Sequence, residues 1–307
     1  MAQLTPEQIE QRARGVGASE AAQALGLSQW GTAYDLWLKK RGEAEEPESS
    51  ERLHMGHLLE PVIARIYESE NAVHVVAVEE TYQHPEFPWL MATPDYRVIE
   101  RPVLLECKNV NAFRKKEFGE AGGDEIPMDI LAQCLAQLAV MQPLVNVNRV
   151  DVGVLFGGNE FMQFAVHYDK GAVERLIERM AEFWQCVETG RAPAPQSLKD
   201  VRRMFTRDVG RVVEASQPIA GAVEQLRNIR AQMKKAEEIE ESLLLAIQSH
   251  MQDASTLILP TGEIACTWKA AKDSMTFDRE AFKSAEPDHY EQYVFKKPGS
   301  RRFLLKV

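Results

Sequence analysis

The spacing of apolar positions changes period several times along the chain, and each change marks an element. Thr5 and Pro6, followed by early acids, predict a short helix over 5–14. Gly15 and Gly17 bring the backbone close to a neighbour, and Ser19 caps a helix running through Ala21, Ala22 and Leu25. Residues 30–40 form an amphipathic helix with Tyr34, Trp37 and Leu38 inward, and 42–51 is a polar loop. Leu59, Ile63 and Ile66 recur at helical spacing in the next helix. A strand covers 73–83, and Pro85, Pro88 and Trp89 turn the chain.

Two strand-like runs follow, the first starting at Asp95 and running through Tyr96–Ile99, the second at 103–108. Arg101 and Pro102 lie in the turn between them, so the pair reads as a hairpin. A helix over 130–141 carries Gln133 and Gln137 on one face at i and i+4. Strands over 149–156 and 160–166 flank the Gly157-Gly158 turn, a helix spans 170–188, and 190–197 is a Pro-rich break. This order gives an α/β core, a mixed sheet flanked by helices. Beyond it, arginines at 202, 203, 207 and 211 form a basic segment, and a long amphipathic helix runs over 222–251. Its Leu226, Ile229, Met233 and Ala236 keep heptad spacing, Glu240 interrupts, and Leu243 and Ile247 resume. A β-hairpin over 256–269, a short helix from Asp278 and strands over 293–296 and 302–307 complete a C-terminal α+β extension. The expected domains are a core over 1–198, a basic linker over 199–221, and a helix with a small β-rich extension over 222–307.

Composition narrows the class without naming the chemistry. The apolar fraction of 45% and charged fraction of 27% are those of a globular protein. No uninterrupted apolar run of membrane-spanning length and no signal-peptide pattern stand out, so a cytoplasmic location and no membrane partner are expected. Cys107, Cys134, Cys186 and Cys266 are far apart, which speaks against a zinc or iron–sulfur cluster. The net charge of −10 weighs against nucleic acid, although local basic patches can contact phosphate while acidic faces stay outside.

Candidate chemistry concentrates at 91–114. Alternation along a strand puts Glu106 and Lys108 on one face with Cys107 opposite, and Asp95 reaches the same spot from the neighbouring strand. Two carboxylates suit a hard divalent cation such as Mg²⁺, and a lysine beside it orients water and stabilises developing phosphate charge. Glu60 lies beside the apolar stripe of its helix, and the Arg114-Lys115-Lys116 cluster is a candidate phosphate contact. Arg14 near the helix that follows Ser19 is a candidate anion site. His54 and His57 stand at i and i+3, but no third ligand follows at helical spacing.

Asp95 after a proline, then Glu106-x-Lys108, resembles the PD-(D/E)xK nuclease superfamily. In order along the chain come G-V-G-A-S-E at 15–20, G-H-L-L-E at 56–60, T-P-D at 93–95, L-E-C-K at 105–108 and a Gln-containing helix near 133. That series resembles the YqaJ-like viral recombinase family of lambda-type phage exonucleases. The resemblance implies a restriction-endonuclease-like core and catalytic roles for Glu60, Asp95, Glu106 and Lys108. Asp95, Glu106 and the Cys107 carbonyl would ligate metal, with Glu60 as a further ligand. Mg²⁺ is implied, with Mn²⁺ as the alternative and two ions per site. Arg14 (or Arg12), Ser19, Thr93 and Arg114 match a 5′-phosphate pocket, and Gln133 and Gln137 join the DNA-binding set. Where relatives carry Q-x-Q, this chain has Gln133, Leu135 and then Gln137. The implied activity is 5′-to-3′ resection of double-stranded DNA ends in a bacterial host. The products would be mononucleotides and 3′ overhangs for a single-strand annealing protein in recombination. A phage or prophage gene and a ring-shaped homotrimer are also implied. The runner-up readings are an endonuclease of the same superfamily and an inactive DNA-binding scaffold.

Overall fold

The computed structural model describes residues 14–44, 51–297 and 299–306. The expected helix over 5–14, with Arg12, lies almost wholly outside the described residues. The chain divides into two compact units, Met1–Met204 and Phe205–Val307.

The first unit opens with β1 (Val16–Gly17), a 3-10 turn (Ala18–Glu20), α1 (Ala21–Ala24), α2 (Ala33–Lys40) and α3 (Glu51–Asn71). Then come β2 (Val75–Ala77), β3 (Tyr82–Gln83), β4 (Leu90–Ala92), β5 (Tyr96–Val98), β6 (Val103–Val110) and a 3-10 helix (Ala112–Glu117). The unit closes with α4 (Met128–Val145), β7 (Arg149–Phe156), β8 (Glu160–His167), α5 (Lys170–Thr189) and α6 (Leu198–Met204). The main sheet has the order β2-β5-β6-β7-β8, with β6 and β7 parallel across the α4 crossover and the other pairs antiparallel. The mixed sheet flanked by helices is thus the α/β core that the element order predicts.

The alternation of β6 decides what faces what. Val103, Leu105 and Cys107 pack with Ile63, Ala64 and Tyr67 of α3. Leu104 and Val110 join the opposite core with α4 and α5. Glu106 and Lys108 therefore project toward α4. That helix is, among the described residues, the one long and apolar enough to cross a bilayer by length and composition, at a mean hydropathy of 1.3. Asp129, Gln133, Gln137 and Gln142 interrupt its apolar run, and half of it is buried in the core of the unit.

The expected single strand over 73–83 is two strands in two sheets, β2 pairing with β5 and β3 with β4. β3 belongs to a small sheet of order β1-β4-β3. The parallel pairing of β1 with β4 explains Gly15: a Cβ there would stand 2.4 Å from the Trp89 carbonyl oxygen. α6 takes the first residues of the expected linker into this unit. Its Asp200 is fully buried and accepts from Thr32 Oγ1 at 3.0 Å, Gln196 N at 3.0 Å and Ser197 N at 3.1 Å.

The second unit contains α7 (Gln217–Met251), the hairpin of β9 (Thr256–Ile258) and β10 (Ile264–Thr267), α8 (Arg279–Ala285) and α9 (Pro287–Gln292). Ile229, Met233 and Leu243 on the heptad stripe of α7 are exposed. The strands expected over 293–296 and 302–307 are not formed by the described residues there. Phe295 and Phe303 stay exposed, and among the described residues no neighbouring strand takes up the backbone hydrogen bonds.

Candidate active site

The hairpin of β5 and β6 builds the site. Tyr96 pairs with Leu105 and Arg97 with Leu104, and continuing that register places Asp95 beside Glu106. The Asp95 carboxylate turns back over the strand, where its Oδ2 accepts from the Cys107 N–H at 2.8 Å. Lys108 Nζ stands 2.6 Å from Glu106 Oε1 and donates to Gln133 Oε1 at 2.9 Å. The expected convergence of Asp95, Glu106 and Lys108 is present.

Glu106 is almost wholly buried, and α4 satisfies it. Gln133 Nε2 donates to Oε1 and Gln137 Nε2 to Oε2, each at 2.6 Å. Gln137 is 1% exposed, so the expectation that it contacts DNA is corrected: it lies beneath Glu106, closed off from solvent. Gln133 is half-buried and touches both Glu106 and Lys108. Glu60 Oε1 on α3 lies 3.1 Å from His57 Nδ1, and the Glu60 charge acts on Asp95.

The electrostatics follow from crowding acids in a dry place. Burial, then the Glu106 charge, pushes the Asp95 carboxyl well above the usual carboxylate range, against the pull of Lys108 and the Cys107 N–H. Burial alone would lower Lys108, but Glu106 and Asp95 hold its ammonium above the ordinary lysine value. Burial and the same acids raise the Cys107 thiol, so this cysteine has a neutral side chain and offers oxygen only through its carbonyl. Tyr96 is pushed up to about 12, first by burial. Among the described residues no three His, Cys, Asp or Glu side chains stand in ligating array. The two carboxylates, Asp95 and Glu106, nevertheless offer the oxygen donors that a hard cation takes, and burial and the Glu106 charge outweigh Lys108 at Asp95.

A cavity of about 330 Å³ adjoins Lys108. Ser19 and Arg114 line it, together with Gln23, Trp30, Asn109 and Asp129, which sequence reasoning did not assign to a site. Gln23 stands one helical turn after Ser19, which was a usable signal; Asp129 read only as a helix opener. The 3-10 helix presents Arg114, whose guanidinium bonds Glu117 Oε2 at 2.8 Å and Asp129 Oδ1 at 3.3 Å. Ser19 is exposed in the 3-10 turn and caps nothing; Glu20 fixes that turn by accepting from Gly17 N at 3.1 Å. Despite burial, Lys40 and Lys39 keep the Glu20 carboxyl low. Thr93 and Arg14 do not line the cavity: Thr93 Oγ1 shares a hydrogen bond with Thr81 Oγ1 at 2.9 Å, and Arg14 is exposed.

Sheet, crossover helix and site together define an α/β protein with the PD-(D/E)xK arrangement, Asp95 beside Glu106 and Lys108. Residues 8–142 match the family model described as the YqaJ-like viral recombinase domain. The chain is 28% identical over 309 aligned positions to the uncharacterized protein YqaJ of Bacillus subtilis (strain 168), covering 98% of this chain and 93% of that one. Among solved structures it is similar to an alkaline exonuclease from Laribacter hongkongensis, at 17% identity and a TM-score of 0.48 over 65% of this chain and 97% of that one. It is also similar to a phage-related exonuclease from Haemophilus somnus 129PT, at 9% identity and a TM-score of 0.43 over 58% and 96%.

Proposed function

We propose that this chain is a divalent-metal-dependent deoxyribonuclease that resects double-stranded DNA ends from 5′ to 3′. The observation that carries the reading is the juxtaposition of Asp95, Glu106 and Lys108 with a cavity holding Ser19 and Arg114. Asp95, Glu106 and the Cys107 carbonyl would hold Mg²⁺ (or Mn²⁺), with Glu60 nearest to a second ion. The metal would supply a more acidic water and charge neutralisation at phosphate.

The side chains do the rest. Lys108 keeps its proton, so it is a donor and not a base. Two of its N–H bonds go to Glu106 and Gln133, and the third would donate to water or a phosphate oxygen. Water attacks phosphorus, the P–O3′ bond breaks, and the leaving oxygen takes a proton. A 5′-mononucleotide departs and the strand regains a 5′-phosphate. Arg114 and Ser19 hold that terminal phosphate, which gives polarity and favours repeated turnover. The reading includes a 3′ overhang passed to a single-strand annealing protein in phage-type recombination inside a bacterial cytoplasm. It also includes a homotrimeric ring, which lets an acidic chain line its channel with basic residues.

The test uses linear duplexes labelled at either strand end, with a 5′-phosphate or 5′-hydroxyl, beside a closed circle. Release from the 5′-phosphorylated strand alone supports the proposal. Cleavage of the circle moves the assignment to an endonuclease, and metal-independent binding without cleavage leaves a scaffold.

A further inference from the structure

Gln137 is the one buried amide side chain among the described residues, on a helix whose neighbouring buried positions are Ala136, Leu138, Ala139 and Val140. A leucine there would continue the core. The amide instead donates to Glu106 Oε2 at 2.6 Å, while its own Oε1 is buried with no hydrogen-bond partner among the described residues. Stranding an acceptor in the core is unfavourable, so the donor is what the position requires.

The need lies in Glu106. The terminal torsion of a glutamate is broad, so packing alone does not set the rotation of its carboxylate plane. Here two amides one helical turn apart take one oxygen each. Gln133 is shared with Lys108, whereas Gln137 acts on Glu106 alone.

We infer that Gln137 is a positioning residue: it locks the Glu106 carboxylate in the rotation that metal binding and turnover require, and it makes no contact with DNA. This rests on the proposed metal-dependent nuclease, and it reassigns a glutamine expected to bind DNA.

The experiment compares wild type with Gln137→Met, which keeps length without a donor, and Gln137→Asn, which keeps the amide but stops short of Glu106. Folding is checked by circular dichroism and melting. Mn²⁺ affinity is measured by calorimetry on the metal-free protein, and kcat and KM on linear duplex in Mg²⁺. The expected result is weakening of Mn²⁺ binding and loss of kcat by about tenfold or more, with KM for DNA nearly unchanged. Folded variants with wild-type metal affinity and kcat overturn the inference, as does a raised KM with kcat retained. If neither variant folds, Gln137 is merely structural and the inference fails. A wild type that binds Mn²⁺ but leaves DNA intact sinks the nuclease reading while the calorimetry still decides the role of Gln137.

Discussion

Glu106 and Lys108, two residues apart on β6, meet with Lys108 Nζ 2.6 Å from Glu106 Oε1. The strand period alone brings them to one face, and α4 completes the pair by donating two amides to the same carboxylate. The ion pair therefore sits inside a network whose other members lie on a different element, which makes its separate parts testable.

Asp95 offers the clearest trade between stability and activity. Its folded pKa is raised, so this carboxyl favours folding below its unfolded value, and that stability is lost as pH rises through the folded value. Metal-free Asp95→Asn should thus melt higher than wild type at pH 7, by on the order of 1 kcal/mol, while DNA degradation is abolished. The gap should narrow as pH falls. Equal melting temperatures at neutral pH would remove the claim that burial and the Glu106 charge outweigh Lys108 at Asp95.

Arg114 is mounted between Glu117 and Asp129 at the cavity wall. Arg114→Ala should bring the rates on 5′-phosphorylated and 5′-hydroxyl duplexes together. Arg114→Lys should restore only part of the preference, because an ammonium lacks the planar fork. End-labelled substrates in a single-turnover assay read the ratio directly. An unchanged ratio in the alanine variant would take Arg114 out of the phosphate pocket.

Asp200 clasps α6 to the start of α2 through Thr32 and two backbone N–H groups. Replacing it with alanine strands these donors, and unfolding should become easier by about 2–4 kcal/mol. Denaturant melts at fixed pH measure this; a change under 1 kcal/mol, on the order of an exposed site, would mean the clasp is dispensable.

Tyr67 donates to Asp151 Oδ2 at 2.6 Å on the face of the sheet opposite α4, and Arg149 holds the other side of that carboxylate. Tyr67→Phe should cost roughly 1–3 kcal/mol of stability and leave kcat near wild type. A large fall in kcat without a melting shift would tie this buried network to the chemistry.

The legibility of these features differed for physical reasons. The Asp95 hairpin and the Glu106-x-Lys108 face followed from period 2, which needs no knowledge of neighbours. Gln133 and Gln137 were visible as one helical face, but not that the face lies under Glu106, since the partner is 27 to 31 residues away. Asp200 sits among basic residues and reads as solvated; its burial depends on Thr32, 168 residues earlier. The strand expected over 73–83 failed because pairing partners, not propensity, decide where a strand ends, and β2 and β3 serve different sheets. The C-terminal strands failed for the same reason: among the described residues they find no neighbour to pair with.

The central claim is that the Asp95, Glu106 and Lys108 cluster hydrolyses DNA ends with a bound cation. The most direct measurement is mononucleotide release from a 5′-phosphorylated linear duplex by wild type and Lys108→Ala, each in Mg²⁺ and in EDTA. The account predicts release by wild type in Mg²⁺, none in EDTA, and a rate about 10²–10³-fold lower for Lys108→Ala. Release that persists in EDTA, or a Lys108→Ala rate equal to wild type, would contradict it.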